Sequence, residues 1–258
     1  MQYVSAKGCR LYYETRGQGR PLVLIHGLGS DHRMWGPQMD VFSKDHQVIA
    51  YDCRGHGASS PVPPGYQLAD LAEDLARLLD GLKIGQAALV GVSFGGIVAQ
   101  QFAVSYPERC LALVLSDTFS EVHFPDSFGA WLQVPVLRVL PRPILAQMIA
   151  GAYPKKRWRL AREELARAAR NIRPGDVSRL RALINRVHLT EKLSVINCPT
   201  LVLTGDRWPV MVKYARLIHE AVPGSRLELV PSACDPSSLT NVEAFNRLVL
   251  DFLTSACG

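Results

Sequence analysis

The chain has 258 residues, 48% hydrophobic and 20% charged, enough apolar material to bury a substantial core in roughly one or two domains. No apolar run approaches the roughly 20 residues that cross a bilayer, and the opening Met1-Gln2-Tyr3-Val4-Ser5-Ala6-Lys7 lacks a signal peptide's apolar stretch. A cytoplasmic protein with no membrane partner is therefore expected. Cys9, Cys53, Cys110, Cys198, Cys234 and Cys257 form no Cys-x-x-Cys pair and no cluster with histidine, so reduced thiols, no metal and no cofactor are expected.

The formal net charge is +6. Residues 119–196 carry 14 Lys and Arg against 6 Asp and Glu, whereas the rest of the chain carries 15 against 17. The basic excess thus belongs to one segment, where Lys155-Lys156-Arg157-Trp158-Arg159 opens an Arg/Ala/Leu-rich helix whose charges are expected to face solvent. A nucleic-acid surface would interleave aromatic residues with its basic stripe, and only Trp158 does so here. A small-molecule substrate is the expected partner, and attraction of an anionic one is a use for the charge. The sequence leaves oligomeric state open.

In chain order, short alternating stretches at Tyr3-Val4-Ser5 and Leu11-Tyr12-Tyr13-Glu14 predict an antiparallel start. Pro21 to Ile25 is a continuous apolar run of the kind buried on both faces of a parallel sheet. A helix over Met34–Phe42, a strand over Gln47–Tyr51 and a helix over Leu68–Leu82 follow. After a strand at Ala87–Val90, the pattern continues with strand Leu111–Ser116, strand Thr200–Thr204, helix Val210–Ala221, strand Arg226–Val230 and helix Val242–Leu253. This alternation predicts an α/β fold with a doubly wound, mostly parallel sheet. Phe119 to about Asn197 interrupts it with helices separated by Pro135, Pro141, Pro143, Pro154, Pro174 and Gly175. The expected division is a core of residues 1–118 and 198–258 with a helical cap, 119–197, over the strands' carboxyl ends, where open α/β sheets bind ligands.

Gly91-Val92-Ser93-Phe94-Gly95-Gly96 stands where a strand turns sharply into a helix. Gly-x-Ser-x-Gly in that setting is a nucleophile elbow, whose small residues allow a strained serine backbone and close approach of neighbouring segments.

Val23-Leu24-Ile25-His26-Gly27, Tyr51-Asp52-Cys53-Arg54-Gly55-His56-Gly57-Ala58-Ser59, the elbow and Pro199-Thr200-Leu201-Val202-Leu203-Thr204-Gly205-Asp206 occur in an order that resembles the α/β-hydrolase superfamily. Leu11 to Pro21 and Leu115-Ser116-Asp117-Thr118 look most like the helical-capped 3-oxoadipate enol-lactonases. The resemblance implies Ser93 as nucleophile and an oxyanion hole formed by the backbone N–H groups of Leu28 and Phe94. It puts His26 and His56 at positions that usually serve loop structure, His26 also being a candidate pocket residue.

The other two triad positions depart from the family pattern. Where the family reads Gly-Asp-x-Asp, Gly205-Asp206-Arg207-Trp208 puts tryptophan in place of the orienting aspartate. Where it reads Gly-His, Cys234-Asp235 stands instead, and no histidine follows His219. Losing the base of a Ser-His-Asp site costs about a million-fold in turnover, which argues against ordinary serine-esterase chemistry. Asp235 reads either as a desolvated acid or base or as a solvated, helix-capping aspartate. Being shorter than imidazole, it is not expected to meet the serine hydroxyl directly, leaving room for a water or a substrate group. Trp208, Cys234 and Asp117 are further pocket candidates. Trp208 is a filler or a stacking wall, Cys234 a buried small residue or a nucleophile, and Asp117 a turn aspartate or a displaced triad acid.

The leading expectation is non-hydrolytic chemistry on an ester- or carbonyl-bearing metabolite: elimination by a lyase, decarboxylation, isomerisation or cyclisation, as in natural-product biosynthesis. It would reuse the oxyanion hole, with Asp235 as acid or base. The alternatives are an ester or lactone hydrolase using Ser93 or an Asp235-bound water, and a catalytically silent binding protein.

Overall fold

A computed structural model describes residues 2–6, 8–123 and 126–257. Eight strands form one sheet: β1 (Gln2–Ala6), β2 (Cys9–Arg16), β3 (Arg20–Ile25), β4 (His46–Tyr51), β5 (Ala87–Val92), β6 (Cys110–Ser116), β7 (Thr200–Gly205) and β8 (Arg226–Val230). Their order across the sheet is β1-β2-β4-β3-β5-β6-β7-β8. β2 runs antiparallel to both neighbours, and every pairing from β4 to β8 is parallel. The uninterrupted apolar runs require burial on both faces. Along β3, Val23 and Ile25 enter one core layer and Leu22 and Leu24 the other, all fully buried, each side chain contributing about 1.5–3 kcal/mol.

The helices are α1 (Gly36–Phe42), α2 (Leu68–Gly81), α3 (Phe94–Ser105), α4 (Asp126–Val139), α5 (Arg142–Ala152), α6 (Arg159–Asn171), α7 (Pro174–Ile184), α8 (Pro209–Ala221), the single turn α9 (Ser237–Thr240) and α10 (Val242–Cys257). Apolar residues of α2, α3 and α8, including Leu75, Leu78, Phe102 and Ile218, cover one face. Phe42 of α1 and Phe245 and Phe252 of α10 cover the other. Chain direction across the sheet reverses at β3 and β5, which opens a crevice beyond their carboxyl ends.

Helices α4 to α7 lie between β6 and β7 in the chain, with only an isolated bridge, Glu121 to His188, among the described residues there. One boundary differs from expectation: Pro135 lies inside α4. Its missing N–H removes one helical hydrogen bond, and the carbonyl just before it, that of Val134, accepts 2.9 Å from the Ser178 hydroxyl of α7. Among the described residues, no helix is long and apolar enough to cross a membrane.

Candidate active site

Ser93 connects β5 to α3 with φ 53° and ψ −115°, a conformation rare for a side-chain-bearing residue. The surroundings hold it there. Ser93 N–H donates to the Ser116 carbonyl at 2.9 Å, and its own carbonyl accepts from Gly96 N–H at 3.0 Å and from the Thr118 hydroxyl at 2.7 Å. A Cβ on Gly95 would lie 2.0 Å from the Ile25 carbonyl oxygen, so β3 and α3 meet there only through glycine. The result is a serine presented at the strand's carboxyl end.

The loop after β3 reaches the same point: a Cβ on Gly27 would sit 3.8 Å from Ser93 Cβ. Two buried histidines shape this loop. His26 Nδ1–H donates to the Gly27 carbonyl at 2.8 Å while Nε2 accepts from Cys53 N–H at 3.0 Å. His56 Nε2 accepts from Gly29 N–H at 3.0 Å. Burial lowers the pKa of both, that of His56 to about 3, so they are neutral acceptors that hold the loop. Among the described residues, neither Leu28 N–H nor Phe94 N–H donates to a protein acceptor. Phe94 N–H opens α3, where the helix dipole also favours negative charge.

Asp235 faces this corner from the loop after β8. It shares a cavity of about 920 Å³ with Ser93 and Leu28. Part of its surface opens to that cavity, and protein atoms enclose the rest. Burial first, and then the negative charge of Asp117, push its pKa well above the ordinary 3.8; Arg181 and the Ser93 side chain act in the opposite direction. The β8 loop approaches β7 closely here, and a Cβ on Gly205 would meet the Ala233 carbonyl carbon at 2.4 Å. Tyr153, at the end of α5, donates to the Asp235 carbonyl at 2.6 Å and ties it to that helix.

The remaining candidates divide. Trp208 lines the cavity; Asp117, Cys234 and His26 are outside its lining. Asp117 is saturated as a brace: it accepts from Gly205 N–H at 3.0 Å, Ser237 N–H at 2.7 Å and the hydroxyls of Ser116 and Thr204. It therefore joins the ends of β6 and β7 to the loop holding Asp235. Cys234 is buried, and desolvation raises its thiol to about 12, which disfavours the thiolate. His26 is spent on the loop, as above.

Sequence reasoning missed Tyr153 and Arg181. Arg181 of α7 lines the cavity among mainly apolar cap residues such as Leu137, Leu145 and Ile172. The available signal was its place on the buried stripe of α7 with Val177, Leu180 and Ile184. Asp31, His32 and Asp52 have metal-like spacing, yet Arg33 and Arg167 hold Asp31 while His32 and Ala58 N–H hold Asp52. Their oxygens are already engaged, and the group lies outside the cavity lining.

A family model described as the alpha/beta hydrolase fold matches residues 20–139. A Variovorax paradoxus protein with the provisional name carbamate hydrolase RutD is 31% identical, covering 94% of this chain and 96% of its own. The 3-oxoadipate enol-lactonase 2 of Acinetobacter baylyi is 30% identical over 95% of this chain and 94% of its own. The crystal structure of the enol-lactonase from Burkholderia xenovorans LB400 superimposes with a TM-score of 0.88 at 26% identity, covering 98% of this chain and 100% of that one. The chain belongs to the α/β-hydrolase family and has its fold, and its relatives are enzymes.

These names correct the leading functional expectation. The relatives are named for hydrolysis, and lyase chemistry in a biosynthetic pathway finds no counterpart among them. Non-hydrolytic chemistry was expected because the histidine base is missing, and the Asp235 carboxyl group shares the cavity with Ser93.

Proposed function

We propose that the protein hydrolyses a carboxylic ester or lactone, with Ser93 as nucleophile and Asp235 as general base. The observation that carries this reading is that Ser93 and Asp235 line one cavity, with the Ser93 side chain near enough to lower the Asp235 pKa. The uncommitted N–H groups of Leu28 and Phe94 and the hydrolase names of the relatives support it further.

In the first step Ser93 Oγ attacks the carbonyl carbon as its proton passes to the Asp235 carboxylate. The N–H groups of Leu28 and Phe94 hold the developing oxyanion. Collapse breaks the ester bond, and the alcohol leaves with the proton from Asp235. Water then attacks the acyl-Ser93, giving its proton to Asp235, and a second collapse releases the acid and restores the hydroxyl. A carboxylate with a raised pKa is a stronger base than an exposed one. General-base assistance of about 10²–10⁴ recovers only part of the roughly million-fold loss that follows removal of a triad base. Slow turnover is expected, with the mainly apolar cap residues excluding competing solvent.

The test is hydrolysis of short 4-nitrophenyl esters in isotopically labelled water, with mass spectrometry of the protein during turnover. Wild type should place labelled oxygen in the acid and show an acyl adduct on the Ser93 peptide. Ser93→Ala should lose at least about a thousand-fold in kcat/KM. Full activity in Ser93→Ala would disprove the nucleophile assignment.

A further inference from the structure

The arginines of the cap helices are mostly accounted for. Arg167 pairs with Asp31 and Glu164, Arg173 pairs with Asp176, and Arg162 donates to the carbonyls of Ala150 and Tyr153. Arg181 is different. Among the described residues it forms no ion pair, and its single hydrogen bond is a long one, from Nε to the Ala130 carbonyl at 3.4 Å. Its terminal nitrogens have no protein acceptor, although the side chain lies on the inner stripe of α7.

Arg181 is half-buried, and a cation partly withdrawn from water without a counter-ion is unfavourable and is not expected without a compensating use. The other charged groups lining the cavity cannot fully supply one. Asp126 is engaged by the Tyr214 hydroxyl at 2.8 Å and by Lys213 at 3.9 Å. Asp235 interacts with Arg181 through space, but among the described residues the two form no ion pair. Most of the remaining lining is apolar. The guanidinium fork therefore faces a cavity also lined by Ser93, with its bidentate donors open.

We propose that Arg181 is an anion subsite of this active site, so that the preferred substrate is an ester or lactone bearing a separate carboxylate, which Arg181 holds while the carbonyl occupies the oxyanion hole. This rests on the hydrolytic reading above and adds the substrate class to it. Arg181 acts as a specificity residue: it fixes the end of the substrate remote from the scissile bond, and the apolar lining excludes water from the pair.

Binding and turnover test it separately. By calorimetry, glutarate should bind wild type and Ser93→Ala but bind Arg181→Met at least about tenfold more weakly, as expected for losing a charge-assisted hydrogen-bonded pair. Neutral glutaramide should not discriminate among the three. In turnover, two matched pairs place the charge on either side of the ester: mono-4-nitrophenyl glutarate against 4-nitrophenyl pentanoate, and 4-acetoxybenzoate against phenyl acetate. Wild type should prefer the anionic member of at least one pair by about tenfold to a hundredfold in kcat/KM, mostly through KM. Arg181→Met should abolish that preference, and Arg181→Lys should restore part of it.

If Arg181 only tuned Asp235, its loss would shift the pH profile equally for neutral and anionic esters and leave their ratio unchanged. That result, or glutarate binding that ignores Arg181→Met, overturns the proposal. Arg181-dependent glutarate binding with no turnover of any ester would preserve the anion subsite and sink the hydrolytic reading instead.

Discussion

The nucleophile side and the base side of the cavity are built by different means. Around Ser93 the geometry is backbone against backbone: Gly95 presses on the Ile25 carbonyl, and a Cβ on Gly91 would lie 2.3 Å from the Gly95 carbonyl oxygen. Around Asp235 the loops also meet closely, but the reactive group is set by side chains, chiefly the four-donor brace of Asp117 and the tyrosine hydroxyl of Tyr153. Backbone contacts admit almost no substitution. A frame that carries its chemistry on an exchangeable side chain can present aspartate in place of histidine without rebuilding the fold. This accounts for an elbow that matches its family beside a base position that does not.

The contrast can be broken most sharply at the elbow. Gly95→Ala forces its new Cβ to within 2.0 Å of a backbone oxygen, and should cost at least about 3 kcal/mol or abolish soluble folding. Urea unfolding measures it, and wild-type stability in that variant would show the corner to be less constrained than described. The base side should behave in the opposite sense. A carboxyl group whose pKa is raised on folding binds its proton more tightly in the native state than in the unfolded one. Stability therefore falls as pH rises from the unfolded value near 3.8 to the raised native value, and the penalty is constant above it. Asp235→Asn removes the charge and should raise Tm by roughly a few degrees at neutral pH, with the gap narrowing towards pH 4. A lower Tm in the variant would show that the ionised form is stabilised by its surroundings.

The strands, the mostly parallel sheet and the elbow were legible because they rest on local patterns: apolar runs for doubly buried strands, and glycines where backbones touch. Val23 and Ile25 read as core from the run alone, and Arg226–Val230 coincides with β8. The site was legible only in part. Arg181 sits in the segment that holds the basic excess, and its place in the cavity lining follows from the packing of α7 against the other helices of that segment. Asp117 read as either a turn residue or a displaced acid because three of its four donors, on Thr204, Gly205 and Ser237, lie far from it in the chain. The distance between Asp235 and Ser93 depends on how closely the β7 and β8 loops approach, a property of tertiary packing at Gly205 and Ala233 rather than of either segment.

The central claim is that Asp235 is the base for Ser93. The pH dependence of kcat/KM for a neutral 4-nitrophenyl ester, compared between wild type and Asp235→Asn, tests it most directly. A base acts in its deprotonated form, so the wild-type rate should rise through one ionisation whose midpoint lies well above the ordinary 3.8 of aspartate. His26 and His56, kept neutral by burial, should not supply that ionisation. In Asp235→Asn the rise should vanish and the plateau should fall by about a hundredfold or more; an unchanged profile and rate would contradict the claim.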